Sequence, residues 1–336
     1  MKIAGRAIGG IEPPYVIAEV SCNHGGSLRV AKQLIRQAKL CGADAVKTQC
    51  YEPDTITLNC KKPDFIIQKG LWAGQTLHEL YTKTHTPFSW HPDLYKLAKD
   101  EGITIFSSVF DRSSVDLLES LGCPAYKIAS FEVVDTPLIR YAASSKKPLI
   151  ISTGLASDQE ILEANEASDG LAAFLHCTSE YPGTFEGANL GRMTLIDNLL
   201  KFHNPVGISD HTPDHTIIPV MATALRAAII EKHLMLPEEA KSEDAEFSLN
   251  PFAFAAMVRA VKNAHTAIQS RPEQPYPSKQ FRRSLYVVKD IKQGENFTTE
   301  NVRSIRPGYG SPPSILAKVL GKMAKKNFRR GDPLVF

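Results

Sequence analysis

The sequence has 336 residues, enough for about two domains, because domains average roughly 150 residues. Its 39 Lys and Arg residues nearly balance its 36 Asp and Glu residues, so the formal net charge is +3. This balance excludes a general binder of polyanions or membrane surfaces but allows one local basic pocket, and 43% hydrophobic residues are typical of a globular protein.

Short apolar runs rich in Val and Ile recur along the chain, as expected for parallel strands buried on both faces. These runs are 15–20, 43–49, 103–108, 125–130, 148–153, 171–178, 205–209 and 227–232. Stretches with helical spacing lie between or after them, at 28–41, 91–101, 113–121, 136–144, 157–167, 190–202, 216–226 and 251–269. This alternation predicts a closed (β/α)8 TIM barrel over residues 1–269. An open doubly wound sheet is the alternative, but no GxGxxG follows the first run.

A long insertion, residues 51–89, separates the second and third predicted strands. It carries Trp72, His78, Tyr81 and His85. Because long loops at the catalytic rim of a barrel often build substrate pockets, we expect this insertion to line one.

The chain changes character after residue 269. Residues 270–278 contain three prolines and predict an extended linker over 270–281. Residues 282–336 are basic and rich in turns, which predicts a small domain of short strands near the lower size limit for independent folding. Such a domain is expected to dock on its own barrel or on that of a partner.

The first ten residues lack an apolar run of signal-peptide length, and no segment approaches the roughly 18 to 20 apolar residues of a membrane span. Six cysteines are scattered without a CxxC pair. Cys22, Cys41, Cys123 and Cys177 lie in or beside apolar or glycine-rich stretches, so we expect reduced core thiols. These features predict a cytoplasmic protein.

Every predicted strand ends in polar side chains. The residues at or just after these ends are Glu19, Asn23, His24, Lys47, Gln49, Ser107, Ser108, Lys127, Ser130, Glu132, Ser152, Thr153, Thr178, Ser179, Tyr181, Asp210, His211, Glu231, Lys232 and His233. A single member of this set would suit a solvated rim. Because active sites of TIM barrels lie at the carboxyl ends of the strands, the whole set predicts a polar ligand there.

Two subsites can be distinguished within this set. Lys47 and Lys127, with the nearby hydroxyls, suit a small dianion that carries phosphate or carboxylate. His211 and His233 end neighbouring strands and could share a divalent ion such as Mn²⁺, Co²⁺ or Zn²⁺. Each histidine could instead be structural or bind substrate, and His215 is expected to begin the next helix.

The carboxylates Glu19, Glu132, Glu231 and Asp244 could act as general bases or accept hydrogen bonds from sugar hydroxyls. A salt bridge to one of the lysines is the structural alternative, above all for Glu132. Schiff-base chemistry at Lys47 or Lys127 is also conceivable, but two lysines among many hydroxyls favour anion binding.

The sequence resembles the sialic acid synthase family, the phosphoenolpyruvate-condensing nonulosonate synthases, over essentially its whole length. The matching segments are Ile17-Ala-Glu-Val, Val46-Lys-Thr-Gln49, Tyr126-Lys-Ile-Ala-Ser-Phe-Glu132, Ile151-Ser-Thr-Gly154, Gly207-Ile-Ser-Asp-His-Thr212, Ile230-Glu-Lys-His233, Arg283-Ser-Leu-Tyr286 and Arg306-Pro-Gly308. The tail looks like the antifreeze-like (SAF, β-clip) domain of these enzymes. The stretch from Leu71 to Tyr81 in the insertion, followed by Thr86 to His91, looks like that of the pseudaminic branch.

The resemblance implies condensation of phosphoenolpyruvate with an open-chain acetamido sugar aldehyde, aided by a divalent ion, Mn²⁺ first and Co²⁺ or Mg²⁺ as alternatives, on His211 and His233. It implies that Lys47, Lys127, Ser108, Ser130 and Ser152 hold phosphoenolpyruvate. Glu19 would handle a proton, and Glu231 and Asp244 the sugar hydroxyls, with Glu132 also in the catalytic set. Further implied substrate contacts are Asn23, Gln49, Thr178, Ser179, Tyr181 and Arg306, the last reaching across a domain-swapped homodimer.

Three positions depart from the family pattern. The family's Ser-Thr-Pro-Phe is here Ser107-Ser-Val-Phe110, Ser179 replaces a frequent Asn, and Pro213-Asp214 replaces a glycine-containing turn. None removes a charged group. An N-acetylneuraminate or legionaminic acid synthase is the alternative within the class, and a non-catalytic carbohydrate-binding barrel is the alternative outside it. A nucleic-acid role is disfavoured because no stacking aromatics accompany the basic tail.

Overall fold

The computed structural model describes residues 1–70, 72–237, 242–269 and 278–336. The chain divides into two units, Met1–Gln269 and Ser270–Phe336. Residues 270–277 of the predicted linker lie outside the described residues, and its end, Lys279–Phe281, forms a 3-10 turn. Among the described residues, no helix is long and apolar enough to span a bilayer.

A closed barrel of parallel strands forms the first unit, as predicted, and the open sheet is excluded. A hairpin of β1 (Lys2–Ile3) and β2 (Arg6–Ala7) precedes it, which the sequence did not reveal because each strand has only two residues. The barrel strands are β3 (Tyr15–Glu19), β4 (Ala45–Cys50), β5 (Thr104–Val109), β6 (Tyr126–Ile128), β7 (Leu149–Ser152), β8 (Ala172–Cys177), β9 (Val206–Asp210) and β10 (Ile229–His233). Each pairs with the next in the chain, and β10 closes on β3.

The helices cover the outside of the barrel strands or belong to the insertion. They are α1 (Leu28–Leu40), α2 (Pro53–Ile56), α3 (Leu77–Thr84), α4 (His91–Glu101), α5 (Arg112–Ser120), α6 (Thr136–Ser144), α7 (Asp158–Ala167), α8 (Gly191–Leu199), α9 (Ile217–Ala224) and α10 (Pro251–Gln269). Their starts follow local chemistry. At the start of α7, for example, the Ser157 hydroxyl accepts a hydrogen bond from the Glu160 amide, and the Glu160 carboxylate accepts one from the Ser157 amide. This pair of hydrogen bonds caps the amino end of the helix.

The fourth barrel strand is shorter than predicted. The sequence predicts a strand to Ser130, but β6 ends at Ile128 and Ser130–Glu132 forms a 3-10 turn. The sequence did not indicate this turn, because the apolar residues Ala129 and Phe131 continue the apolar pattern of the strand. The turn places both Ser130 and Glu132 among the residues that line the cavity described below.

The second unit has its own core and little regular structure. Strands β11 (Ser284–Val287) and β12 (Val302–Ile305) pair in antiparallel fashion, and a short helix, α11 (Leu316–Val319), follows. Leu285, Val287, Ile291, Phe297, Val302, Val319, Ala324 and Leu334 form its core. A small domain of short strands was expected from its many turn residues.

Candidate active site

A cavity of about 610 Å³ opens at the carboxyl ends of the barrel strands. It brings together most of the predicted site residues, which come from every barrel strand or from the segment that follows it. Those lining the cavity are Glu19, Lys47, Gln49, Ser108, Lys127, Ser130, Glu132, Ser152, Ser179, Tyr181, His211, Glu231, His233 and Asp244. The strand-end argument thus predicted a real convergence of charged groups.

Two of the predicted site residues do not line the cavity, and a third belongs to the second unit. Asn23 was predicted to touch substrate, but it does not line the cavity, because its amide is fully buried and bonded to the loop after β10. Thr178 does not line it either, and its carbonyl accepts a hydrogen bond from His211 Nδ1 at 3.3 Å. Arg306 belongs to the second unit, so its contact with the sugar stays a prediction.

Lys47 forms the centre of a buried charge cluster. Its Nζ forms an ion pair with Glu19 Oε2, lies 3.7 Å from Glu231 Oε1 and donates to Ser108 Oγ at 3.1 Å. Burial alone would lower the pKa of Lys47, but the two carboxylates outweigh it and raise the pKa. The ammonium is therefore charged at neutral pH although it is almost fully buried.

The two carboxyls of this cluster have different proton affinities. Burial would raise the pKa of Glu231, but Lys47 and Lys127 outweigh it and hold that pKa at about 2. For Glu19, burial raises the pKa, and the lowering effect of Lys47 does not cancel it because Glu231 also acts to raise it. Glu231 is thus the fixed anion, and Glu19 is the carboxyl that binds a proton more readily.

Lys127 supplies a second donor next to this cluster. Its Nζ donates to Ser152 Oγ at 2.6 Å and to the Ile128 carbonyl at 3.0 Å. Burial lowers the pKa of Lys127, and the charge of Lys47 adds to the effect. An ammonium whose charge is disfavoured by its surroundings gains from an anionic ligand, so Lys127 suits a phosphate or carboxylate.

Gly154 leaves room for two hydroxyls beside Lys127. Its amide donates to Ser130 Oγ at 3.1 Å. A Cβ at this position would lie 2.5 Å from Ser179 Oγ and 2.9 Å from Ser130 Oγ, closer than real Cβ contacts allow. The Ser179 hydroxyl is buried and has no hydrogen-bond partner among the described residues, so it is available to a ligand.

The rings of His211 and His233 are neighbours in an edge-to-face arrangement, with centroids 5.3 Å apart. Burial, then the neighbouring His233, lowers the pKa of His211 to about 3, so its imidazole is neutral, the form that binds metals. Since Nδ1 of His211 points at the Thr178 carbonyl, the lone pair lies on Nε2. Asp244 Oδ2 lies 3.4 Å from His233 Nδ1 and can orient that ring.

A divalent ion fits this pair in a restricted way. No group of three or more His, Cys, Asp and Glu side chains in the described part of the chain is arranged to hold a metal ion. The protein would thus supply two imidazoles, and substrate or water would complete the coordination. Two imidazoles at neighbouring strand ends are compatible with such an open site.

Glu132 is a carboxyl without a salt bridge among the described residues, contrary to the structural alternative. Its Oε2 is buried and has no hydrogen-bond partner in the same part of the chain. Burial raises the pKa of Glu132 to about 7, although Lys127 acts to lower it. At neutral pH this group can therefore either donate or accept a proton.

The insertion forms one wall of the cavity. Trp72 and Tyr81 line it, as the aromatic content led us to expect, whereas His78 and His85 do not. Residues of the wall that the sequence did not single out are Ile56, Ile67, Lys69, Leu77, Leu80 and Thr84. Trp72 also packs against Tyr181, with ring centroids 6.0 Å apart.

Other lining residues were missed as well. They are Ser21, Cys22, Tyr51, Phe110, Ala129, Phe131, Cys177, Ser209, Glu243 and Phe247. Ser209 could have been found, because it lies on β9 two residues before His211, which directly follows the strand, and alternate residues of a strand share one face. Its hydroxyl donates to Glu231 Oε1 at 2.8 Å.

A parallel eight-stranded barrel with lysines, carboxylates and imidazoles at the carboxyl ends of its strands has the design of a TIM-barrel enzyme with a small anionic substrate. The sequence profile of the NeuB family matches residues 34–273, and that of the SAF domain matches residues 282–336. The chain belongs to the NeuB family. The resemblance to sialic acid synthases is therefore confirmed, and so is the type of its tail domain.

Individual relatives cover nearly the whole chain. A pseudaminic acid synthase of Campylobacter jejuni is 44% identical over 95% of this chain and 95% of its own. An N,N'-diacetyllegionaminic acid synthase of Legionella pneumophila is 33% identical over 99% of this chain and 98% of its own. The crystal structure of an N-acetylneuraminic acid synthetase from Leptospira borgpetersenii, in complex with citrate, aligns with a TM-score of 0.73 and 28% identity, covering 83% of this chain and 93% of that one.

Proposed function

We propose that this enzyme is a pseudaminic acid synthase. It condenses phosphoenolpyruvate with 2,4-diacetamido-2,4,6-trideoxy-L-altrose and water, giving pseudaminic acid and phosphate. The observation that carries the proposal is that two lysines and a pair of histidines line one cavity of a NeuB-family barrel. Identity of 44% to a pseudaminic acid synthase, against 33% to a legionaminic acid synthase, supports the choice of sugar.

Phosphoenolpyruvate binds to the lysine side of the cavity. Lys127 and Lys47 supply two positive charges, and the hydroxyls of Ser108, Ser130 and Ser152 supply hydrogen bonds. Burial of both ammonium groups strengthens their attraction for a dianion because little water screens it. This arrangement fixes the enol double bond relative to the histidine side of the cavity.

The sugar aldehyde binds on the histidine side. His211 and His233 would hold a divalent ion there, Mn²⁺ by preference and Co²⁺ or Mg²⁺ as alternatives. When bound, the ion acts as a Lewis acid that polarises the aldehyde oxygen. Asp244 and Glu231 accept hydrogen bonds from sugar hydroxyls and so orient the carbonyl carbon toward C3 of phosphoenolpyruvate.

Proton transfer belongs to the carboxyls with raised pKa values. Attack of C3 on the aldehyde carbon forms the new C–C bond and leaves an oxocarbenium centre at C2. Water adds to C2 and gives up a proton that Glu19 accepts, because Glu19 binds a proton more readily than Glu231 does. The C–O bond to phosphate then breaks while the C2 hydroxyl gives its proton to the leaving phosphate, which leaves the ketone. The proton that Glu19 took from water passes to the former aldehyde oxygen, which ends as a hydroxyl.

Further parts of the proposal concern the surroundings of the barrel. Trp72 and Tyr81 offer an apolar wall for the methyl group of a 6-deoxy sugar. Arg306 completes the sugar site from the SAF domain of a second copy in a swapped homodimer. The enzyme works in the cytoplasm and supplies sugar for surface glycans such as those of flagellin.

Mass analysis of the products from phosphoenolpyruvate and a panel of acetamido sugars tests the proposal. We expect pseudaminic acid from the altrose sugar with Mn²⁺ present, and phosphate release that depends on both sugar and metal. H211A should lower that release by about 1,000-fold, because the loss of Lewis-acid stabilisation costs several kcal/mol.

The matched control is H215A, because His215 lies four residues further and does not line the cavity. It should retain wild-type turnover. Product from N-acetylmannosamine or the legionaminic precursor, with none from the altrose sugar, would overturn the choice of substrate. Turnover that survives H211A and chelation of metals would overturn the metal part alone.

A further inference from the structure

Asn23 joins two loops at the carboxyl end of the barrel. It lies in the loop after β3, is fully buried, and does not line the cavity. Its Nδ2 donates to the Leu234 carbonyl at 3.1 Å and to Ser248 Oγ at 2.8 Å, and its Oδ1 accepts from the Ser242 hydroxyl. All of these partners belong to the single loop that follows β10.

The same loop carries Asp244, and the partners of Asn23 lie on both sides of it. Ser248 Oγ donates to the Asp244 carbonyl at 2.6 Å. The ends of the loop are tied together, since the Leu249 amide donates to the His233 carbonyl at 2.9 Å and Leu234 forms a bridge with Leu249. The side chain of Asn23 is thus hydrogen-bonded to the start of the loop at Leu234, to Ser242 before Asp244 and to Ser248 after Asp244.

We infer that Asn23 is a positioning residue that fixes Asp244 in the cavity. An amide is suited to this task because it donates two hydrogen bonds and accepts others from one planar group. Asp244, which is almost fully buried, has its Oδ2 3.4 Å from His233 Nδ1, so a shift of the loop would move it away from both the ring and the sugar. The inference rests on the proposed function in one respect, the contact of Asp244 with sugar hydroxyls.

The chain offers a matched control in Asn204. This residue is also buried, and its Nδ2 also makes two hydrogen bonds, to Asn165 Oδ1 at 3.0 Å and to the Ala172 carbonyl at 2.9 Å. It precedes β9 and therefore lies at the amino end of the barrel, away from the cavity. N23A and N204A each remove one such amide, so they separate a general loss of stability from a specific loss at Asp244.

The first readout is steady-state kinetics of the full chain with Mn²⁺ and the altrose sugar, with D244A as reference. N23A should raise the KM for the sugar about 10- to 100-fold, the usual effect of removing a group that orients a ligand, and should leave the KM for phosphoenolpyruvate within about 2-fold. N204A should leave both KM values unchanged even if it lowers the melting temperature.

The second readout does not depend on turnover. Hydrogen exchange of backbone amides in residues 242–249 should become faster in N23A and remain at the wild-type rate in N204A. An unchanged exchange rate in N23A overturns the inference, and so does an unchanged sugar KM when D244A raises it. If D244A itself leaves the sugar KM unchanged, the assigned role of Asp244 in the proposed function fails, and exchange alone decides the role of Asn23.

S242A covers the case in which N23A does not fold. It removes one of the three hydrogen bonds of the Asn23 amide and leaves the other two. We expect a sugar KM a few-fold higher and faster exchange in residues 242–249. Wild-type values for both would overturn the inference.

Discussion

The two faces of β10 carry buried ion pairs that differ in how completely they are satisfied. On the outer face, Lys232 Nζ donates to Asp210 Oδ2 at 2.7 Å and to the carbonyl and hydroxyl of Thr212. On the inner face, Glu231 accepts from Ser209 and lies 3.7 Å from Lys47 Nζ. Its second oxygen, Oε2, is buried and has no hydrogen-bond partner in the described part of the chain.

This difference distinguishes an ion pair that stabilises the fold from a charge cluster that binds a ligand, although both involve residues of β10. A buried acceptor without a partner costs about 1–3 kcal/mol, and a fold retains such a group where a ligand will satisfy it. Glu132 Oε2 and Ser179 Oγ lie in the same cavity and are also buried without a partner among the described residues. The outer pair is closed on itself, so we expect it to serve stability, whereas the inner cluster serves binding.

Removal of Lys127 should have the largest effect on the inner cluster. K127M should lower kcat/KM for phosphoenolpyruvate by about 10²–10³-fold, because one charged donor to the anion is lost. The melting temperature should fall little, since burial already disfavours the charge of Lys127. Phosphate release measures kcat/KM, and calorimetry measures the melting temperature. A wild-type kcat/KM in K127M would show that Lys127 does not contribute to the anion site.

Removal of Lys232 should have the opposite profile. K232M leaves the Asp210 carboxylate buried without its ammonium partner, which should lower the free energy of unfolding by about 3–5 kcal/mol. D210N/K232M, which removes both charges, should recover much of this loss. Urea unfolding measures the change, and an unfolding midpoint of K232M equal to wild type would contradict the role of the outer pair.

Substitution of Glu132 should change how stability depends on pH. The pKa of Glu132 is raised to about 7 by burial, so the folded state holds a proton that the unfolded chain releases near its ordinary pKa. This contribution is complete below the unfolded pKa and is lost as pH rises through about 7. Its size is up to about 3 kcal/mol, at 1.36 kcal/mol per pKa unit.

Urea unfolding at about pH 5 and about pH 8 checks this expectation. Wild type should lose stability relative to E132Q as pH rises, while E163Q, on the exposed side of α7, should follow the wild-type profile. Parallel stability curves for wild type and E132Q would show that Glu132 keeps an ordinary pKa.

Substitution of Trp72 should have the smallest effect, on the choice of sugar. W72F removes part of the apolar wall, so it should reduce the preference for the 6-deoxy altrose sugar over N-acetylmannosamine by about 10-fold. Trp90 is the other tryptophan of the chain and does not line the cavity, so W90F is the control. The measurement is the ratio of kcat/KM for the two sugars in each variant. An equal loss of sugar preference in W72F and W90F would contradict a role of the insertion in selectivity.

The fold was largely predictable from the sequence because the barrel strands are buried on both faces and therefore read as continuous apolar runs. The end of β6 was not predictable, since the turn at Ser130 is stabilised by surroundings that no local pattern displays. The charged residues of the site were predictable from their place after each strand. The hydrogen bonds of Asn23 were not predictable, because its partners lie more than 200 residues away and no local pattern indicates a pairing over that distance.

Most of the cavity wall formed by the insertion was also beyond sequence reasoning. Ile56 and Leu77 belong to short helices and Ile67 to an irregular segment between them, and the apolar residues of this stretch have no clear period. Their burial depends on how the insertion folds back over the strand ends, and that path is set by tertiary contacts such as the hydrogen bond between the Tyr51 and Thr84 hydroxyls at 2.9 Å.

Gly154 has a consequence for the evolution of this enzyme. Any side chain at this position would displace the hydroxyls of Ser130 and Ser179, yet the atoms nearest to its Cβ are these two hydroxyls and the Cys177 carbonyl, none of which belongs to a core side chain. A gene copy released from selection for turnover could therefore keep its barrel intact while a single methyl group closed its anion site. Among sequences that share this fold, the residue at this one position should separate working synthases from folded but silent relatives.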